Sequence, residues 1–153
     1  DSGAKIPPAN PAYDRNFIPS VTGWRAAHDA EWKREGGGFV LRCTAGDPQI
    51  VAELKPAVPG PFHVALRMRS SGKGPATLYW SAGQPFARQR SVTFLVQHDG
   101  AWSNYAVDVP AKGQIKSLRL DPGSAPGDVA IESILITDAL GKEVSSWAFD
   151  AKR

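Results

Sequence analysis

Two arginines, Arg67 and Arg69, stand two positions apart in a segment where apolar and polar residues alternate. Residues 62, 64, 66 and 68 are large and apolar, and His63, Ala65, Arg67 and Arg69 alternate with them, which is the period of a strand with one face on a core. A planar guanidinium donates two parallel hydrogen bonds to a carboxylate or a sulfate. The pair therefore predicts a site for an anionic group, and the alternative is a solvated strand face with cross-strand charge pairs.

Tryptophans are the second group of candidate functional residues. The chain has five of them. Trp80 and Trp147 fall within apolar strand patterns, so we expect them in the core. Trp24, Trp32 and Trp102 stand at the edges of elements, beside glycine or charged residues. An edge tryptophan either covers the end of a core or offers a flat apolar face on which a sugar ring or a base can stack.

Catalytic and metal-binding patterns are missing from the sequence. It contains no Gly-x-Ser-x-Gly elbow and no glycine-rich phosphate loop. His28, His63 and His98 have no metal-ligand spacing, and most carboxylates stand in turns, where Asp is a common turn former. The single cysteine, Cys43, excludes a disulfide within the chain and shares an apolar strand face, so we expect it to be buried. We therefore expect no enzyme activity, and no metal site can be placed.

Charge and composition restrict the partners. The net charge is +3 and the pI about 9.2, but the arginines are scattered, whereas nucleic-acid-binding proteins concentrate them in a stripe. No apolar run approaches the length of about 20 residues that spans a membrane. We expect neither nucleic acid nor membrane as a partner, whereas acidic polysaccharides remain compatible. Residues 1–12 are rich in proline and alanine and predict a linker or extended lead-in to a single domain over 13–153, in a piece of a longer protein.

The elements that would position these side chains are short strands separated by turns rich in Gly, Pro and Asp. The nine predicted strands cover residues 39–44, 50–54, 62–70, 76–81, 91–97, 102–109, 115–120, 128–137 and 144–149. Residues 24–35 fit either one or two helical turns or an irregular strand. Such spacing predicts an all-β fold, a two-sheet antiparallel β-sandwich of jelly-roll type.

A hypothesis for the register follows from the alternation. Strands 62–70, 91–97, 102–109 and 128–137 would share one sheet. Its core face would hold Val64, Leu66, Met68, Val92, Phe94, Val96, Tyr105, Val107 and Ile131. Its free face would show His63, Arg67, Arg69, Thr93, Gln97, Asn104, Asp108 and Glu132. On this face Gln97, Asn104 and Glu132 would add hydrogen bonds beside the two arginines, and Trp102 would stack at the rim. Trp24, with the loops around it, is a further candidate for ligand binding.

Several motifs carry a family resemblance, among them Gly23-Trp24, residues 38–42 (GFVLR), 59–70, 99–105 (DGAWSNY) and 131–138 (IESILITD). In these the chain resembles the β-sandwich accessory domains of bacterial sulfatases and other secreted carbohydrate-active enzymes, and carbohydrate-binding modules of the jelly-roll type. The resemblance implies glycan binding without catalysis and a secreted, periplasmic or extracellular location. It implies no cofactor, or alternatively one structural calcium.

Two functional hypotheses follow. In the first, the chain is a non-catalytic carbohydrate-binding module of a secreted enzyme, with a preference for anionic or sulfated polysaccharide that the basic pI and the strand-face arginines suit. In the second, it is a structural or interaction domain that packs on a sulfatase-like catalytic domain of the same parent protein and binds no glycan. Fold resemblance alone does not choose between them.

Overall fold

Most of the chain forms antiparallel strands with alternating apolar residues in the computed structural model, which describes residues 10–150. The described elements are α1 (Pro11–Thr22), β1 (Arg25–His28), β2 (Ala30–Glu35), β3 (Gly38–Cys43), β4 (Gln49–Pro59), β5 (Phe62–Ser70), β6 (Ala76–Ser81), a short 3-10 turn (Arg88–Arg90), β7 (Ser91–Phe94), β8 (Ser103–Val109), β9 (Gln114–Asp121), β10 (Gly127–Asp138) and β11 (Glu143–Ala148). All nine predicted strands are present. Within residues 24–35 the chain forms β1 and β2, so the strand alternative is confirmed there.

Two sheets enclose the core. One has the strand order β1-β4-β9-β6-β7, and the other has the order β2-β3-β10-β5-β8, with β11 also paired to β10. All pairings described between the named strands are antiparallel. The predicted two-sheet antiparallel β-sandwich of jelly-roll type is confirmed.

The sheet assignment was predicted correctly for three strands and wrongly for one. β5, β8 and β10 share the six-stranded sheet, but β7 pairs with β6 in the other sheet. β7 also ends at Phe94, because the chain leaves the sheet before it returns as β8. The hairpin partner therefore determines the sheet to which β7 belongs, and Thr93 lies on the outer face of the five-stranded sheet, beside Thr77.

The predicted core face is present. Five of its nine residues are buried in the core cluster and four are partly buried against it. The buried five are Val64, Leu66, Met68, Val107 and Ile131, and the partly buried four are Val92, Phe94, Val96 and Tyr105. Cys43 is buried as expected, and burial, followed by the charge of Asp128, raises the pKa of its thiol to about 11.

The helix α1 was not predicted. The Asn10 side chain caps it by accepting hydrogen bonds from the backbone N–H groups of Ala12 and Tyr13, and Gly23 ends it with a φ of 81°. The extended lead-in predicted for residues 1–12 therefore does not hold for residues 11 and 12, which are helical; Asn10 is extended, and residues 1–9 lie outside the described residues. α1 is attached to β2 through Asp14 and Arg34, whose Oδ1 and Nη2 atoms are 2.7 Å apart.

No helix within residues 10–150 is both long and apolar enough to cross a membrane.

Candidate functional site

Strand β5 places Arg67 and Arg69 on the solvent face of the six-stranded sheet, as predicted. Its large apolar residues are buried, whereas His63, Ala65, Arg67 and Arg69 are exposed or partly exposed. In the pairing with β8, Arg67 lies opposite Asn104. In the pairing with β10, Ile131 and Ser133 face consecutive β5 residues, so Glu132 is the additional residue of a β-bulge. Bulges re-aim a side chain, and this one presents Glu132 to Arg67.

Arg67 is held by neighbours on both adjacent strands. Its Nε donates to Glu132 Oε1 at 3.2 Å, and its Nη1 donates to Asn104 Oδ1 at 3.3 Å. Its guanidinium carbon lies 5.7 Å from the centroid of the Trp102 ring, within the range of a cation–π contact. The cross-strand charge pair that was the alternative reading of Arg67 is therefore present.

Arg69 differs from Arg67 in having no polar partner among the described residues. Its guanidinium carbon lies 5.3 Å from the centroid of the Trp102 ring. Its Nε is shielded from solvent and has no hydrogen-bond partner, and within residues 10–150 the group forms no ion pair. A guanidinium that keeps unused donors can accept an anionic partner from outside.

Trp102 is 40% exposed. Beside it is a hollow of about 340 Å³, which both Trp102 and Arg69 line. This volume lies within the range of small-molecule sites. The other residues of the lining come from the β2–β3 turn, β3, β10 and the segment after β11: Glu35, Gly36, Gly37, Gly38, Phe39, Val40, Ala130, Ile131, Glu132, Phe149 and Asp150.

Ion pairs offset two of the carboxylates in this lining. Glu35 Oε2 lies 3.6 Å from Lys33 Nζ, and Glu132 is paired with Arg67. A second hollow of about 160 Å³ also has Arg69 in its lining, and a third of about 310 Å³ is lined by Arg67 and Asn104. The exposed ring, the two guanidinium groups and the hollows thus share the outer face of one sheet.

Gln97 lies at the margin of this arrangement. It belongs to the segment between β7 and β8, and its Oε1 accepts a hydrogen bond from Ser103 Oγ at 3.3 Å. Its backbone N–H donates to the hydroxyl of Tyr105 at 3.0 Å. The lining of the 340 Å³ hollow does not include Gln97. The structure thus brings together Arg67, Arg69, Trp102, Asn104 and Glu132. Gln97 lies outside this group and contacts Ser103, the first residue of β8.

The prediction for Trp24 is wrong. Trp24 is fully buried and Trp32 is only 7% exposed, so neither offers a free ring face. The Trp24 ring meets Trp147 edge-on, with centroids 5.5 Å apart, and Trp32 donates its indole N–H to the Trp24 carbonyl. Gly23 places Trp24 against this cluster, because a Cβ at position 23 would lie 2.7 Å from the Trp147 ring.

The histidines serve local structure. His98 lies between Ser70 Oγ and the carbonyl of Gly74, at 2.7 Å from each. Ser70 is 1% exposed and its Oγ also accepts from the backbone of Gly72, so this Ser–His contact connects two loops and offers no accessible nucleophile. Among the described residues, no three His, Cys, Asp or Glu side chains form a metal-binding group.

The outer face of the five-stranded sheet carries a polar network that sequence reasoning missed. Arg119 donates two hydrogen bonds of 2.8 Å to the carboxylate of Asp121, and its guanidinium lies 4.2 Å from the centroid of Tyr79. Burial raises the pKa of Asp121, an effect that Arg119 opposes. This guanidinium is thus paired with a carboxylate, whereas that of Arg69 forms no ion pair within residues 10–150. The only signal for the network in the sequence is the alternation in β9.

Comparison with known proteins shows a likeness in fold and none in sequence. The chain matches no protein-family model and no curated protein. The carbohydrate-binding module CBM29_1 from Piromyces equi superposes with a TM-score of 0.54 at 12% identity, over 82% of this chain and 81% of that one. The xylan-binding module CBM86 from Roseburia intestinalis gives 0.53 at 14% identity, over 84% and 91%.

A third structure agrees with these two. It is the C-terminal CBM6 of LamC, a marine laminarinase from Zobellia galactanivorans, with a TM-score of 0.52 at 15% identity, over 72% of this chain and 90% of the module. At such identities the likeness concerns the fold alone. The chain has the β-sandwich fold of these carbohydrate-binding modules.

Proposed function

We propose that this chain is a non-catalytic carbohydrate-binding domain, and that its site is the solvent face around Trp102, Arg67, Arg69, Asn104 and Glu132. The observation that carries the proposal is the exposed Trp102 ring, placed beside two guanidinium groups at the mouth of a 340 Å³ hollow.

The chemistry of these groups suits a sugar. A sugar ring has an apolar C–H face, which stacks on an aromatic ring, and a rim of hydroxyls, which need planar donors and acceptors. Trp102 supplies the flat apolar surface. Asn104 and Glu132 supply oxygen acceptors, and the arginines supply donors. Arg67 is fixed by Glu132 and Asn104 before any ligand arrives, which lowers the entropy cost of binding.

The unused donors of Arg69 favour an acidic group on the glycan, although three carboxylates also line the hollow. Glu132 and Glu35 are paired with Arg67 and Lys33, whereas Arg69 retains unused donors. A carboxylate or sulfate on the glycan would supply the missing partner of Arg69 with charge-assisted hydrogen bonds. We therefore propose an anionic, in particular sulfated or carboxylated, polysaccharide as the ligand class.

The fold neighbours support the carbohydrate reading and suggest a context. One is a module of a laminarinase, one binds xylan, and a variant of CBM29-2 is described in complex with mannohexaose. By this analogy we propose that the chain is an accessory domain of a secreted carbohydrate-active enzyme; a sulfatase as that enzyme is suggested by the sequence resemblance alone. The alternative is a domain that packs on that catalytic partner without binding glycan.

Affinity electrophoresis of the chain through gels containing polygalacturonate, a sulfated galactan or neutral mannan tests the proposal. We expect retardation by an acidic polysaccharide, weakening as salt rises because exposed charges are screened. Arg69→Ala should weaken this retardation, and Arg42→Ala is the matched control because Arg42 is an exposed arginine outside the lining of the 340 Å³ hollow. Unretarded migration in all three gels would favour the packing-domain alternative.

A further inference from the structure

A further hollow, at the end of strand β8 away from Trp102, is lined by a different set of side chains. It has a volume of about 310 Å³ and lies between the segment 80–90 and the β8–β9 turn. β8 begins next to Trp102 and ends at Val109, immediately before this turn. At the rise of a strand, about 3.3 Å per residue, its seven residues separate the two sites by roughly 20 Å. Each site can therefore be assayed without the other.

The lining of this hollow is rich in donors and contains no carboxylate side chain. Arg90, Lys112, Gln84 and Gln89 contribute its polar side chains. This contrasts with the site around Trp102, where three acidic residues line the hollow. An electropositive hollow without acidic side chains favours an anionic occupant.

Within this lining, Arg90 has a buried hydrogen-bond donor that lacks a partner. Its Nη2 donates to the carbonyl of Pro85 at 2.7 Å, which fixes the guanidinium. Its Nε is shielded from solvent and has no hydrogen-bond partner. A buried donor without a partner costs free energy, and an acceptor bound in the hollow is positioned to remove that cost.

The neighbouring groups leave further donors available. The Gln84 Oε1 is occupied by the backbone N–H of Ala82 at 2.6 Å, so the amide nitrogen of that side chain is the group left for a ligand. Lys112 forms no ion pair with residues 10–150. Trp80 is 6% exposed and lines the hollow, and its indole N–H donates to no acceptor among the described residues.

We infer that this hollow binds an acidic sugar unit through its carboxylate or sulfate. Arg90 and Lys112 bind the anion, and the apolar side chains of Trp80, Pro110 and Ile115 contact the ring. The choice of a sugar as carrier of the anion rests on the proposed function, whereas the anion site itself rests on the lining of the hollow.

The test is a titration of the ¹⁵N-labelled chain, with the indole N–H signal of Trp80 as the reporter. The probes are digalacturonate, N-acetylglucosamine 6-sulfate, neutral cellobiose and sodium sulfate. We expect saturable shifts with at least one of the two acidic sugars and none with cellobiose. Arg90→Gln should raise the dissociation constant by about tenfold, as expected for a lost charge-assisted hydrogen bond. Lys112→Gln should raise the dissociation constant as well. Lys142→Gln, on the β10–β11 turn, is the control and should leave it unchanged.

The outcomes separate the two sites. Trp102→Ala should weaken binding of polysaccharide at the first site by at least about tenfold and leave the Trp80 titration unchanged. If the first site fails while Trp80 still responds to acidic sugars, the proposed binding face is wrong and this inference stands. No response to either acidic sugar, an equal response to cellobiose, or a response to sodium sulfate alone overturns the inference. Because Arg90→Gln removes a hydrogen bond to Pro85, its thermal unfolding is measured too, and Lys112→Gln decides if that variant is unstable.

Discussion

Replacing both strand-face arginines by alanine should weaken the binding of an acidic glycan while leaving the fold intact. Arg69 has no hydrogen bond or ion pair to lose within residues 10–150. Arg67 loses one exposed ion pair to Glu132, with side chains 36% and 59% exposed, and exposed pairs contribute about 0–1 kcal/mol to stability. The free energy of unfolding should therefore fall by no more than about 1 kcal/mol in Arg67→Ala/Arg69→Ala.

The loss of affinity should be larger than the loss of stability. Hydrogen bonds to charged groups contribute about 1.5–3 kcal/mol when their partner is otherwise unsatisfied, and Arg69 provides the unpaired donors. The double variant should therefore bind about 1–3 kcal/mol more weakly. Arg69→Ala alone should account for most of this loss, because Arg67 is already committed to Glu132 and Asn104.

Isothermal titration with an acidic polysaccharide at two salt concentrations, combined with urea unfolding, measures both quantities. The affinity of the wild-type chain should fall with salt, and the affinity of the double variant should depend less on salt. If the double variant unfolds, the arginines are structural residues of the sheet. If it binds the polysaccharide unchanged, the site lies elsewhere on the surface, and the reasoning from the unpaired guanidinium is refuted.

Three further predictions concern other groups. Cys43 should react slowly with thiol reagents until the protein is denatured, because burial raises its pKa to about 11; fast labelling of the native protein would contradict this. A hydrogen bond with the Asp47 carbonyl raises the pKa of His28. The contribution of protonated His28 to folding stability should therefore be present below its ordinary pKa and lost as pH rises through the raised pKa. Thermal unfolding should show this slope in the wild type and not in His28→Gln; equal slopes would refute it. Asp14→Asn should destabilise the chain by about 3 kcal/mol in urea unfolding, since it leaves Arg34 beside a neutral group in a mostly buried site; an unchanged midpoint would exclude a structural role for the pair.

The sandwich could be predicted from the sequence because its strands alternate cleanly and its turns contain Gly, Pro and Asp. The position of β7 could not, because alternation identifies which residues face the core without identifying the sheet. Val92 and Phe94 contact the same core from the opposite layer. Only the pairing of β7 with β6, across the intervening segment 82–90, resolves this.

The helix α1 shows a different limit. Asn10, Pro11 and Gly23 are the start and stop signals of a helix, but Pro19 within the segment argues against one. Trp24 was expected at an element edge because it stands beside Gly23 and Arg25, whereas the turn after α1 buries it against Trp147.

The candidate site was predictable in part. The period of two in β5 places Arg67 and Arg69 on one side, and the pairing with β8 brings Asn104 opposite Arg67. The bulge at Glu132 and the hollow beside Trp102 arise from long-range pairing of β10. No local pattern encodes them, and neither does the lack of a partner that distinguishes Arg69 from Arg67.

The most direct test of the central claim is the affinity of this chain for polygalacturonate and for a sulfated galactan, compared with that of Trp102→Ala. Trp102 is 40% exposed, so its removal should leave the unfolding transition nearly unchanged. The proposal predicts measurable binding of at least one acidic polysaccharide by the wild-type chain and at least about tenfold weaker binding by Trp102→Ala. Equal affinity of the two folded proteins, or no binding by the wild-type chain, would contradict it.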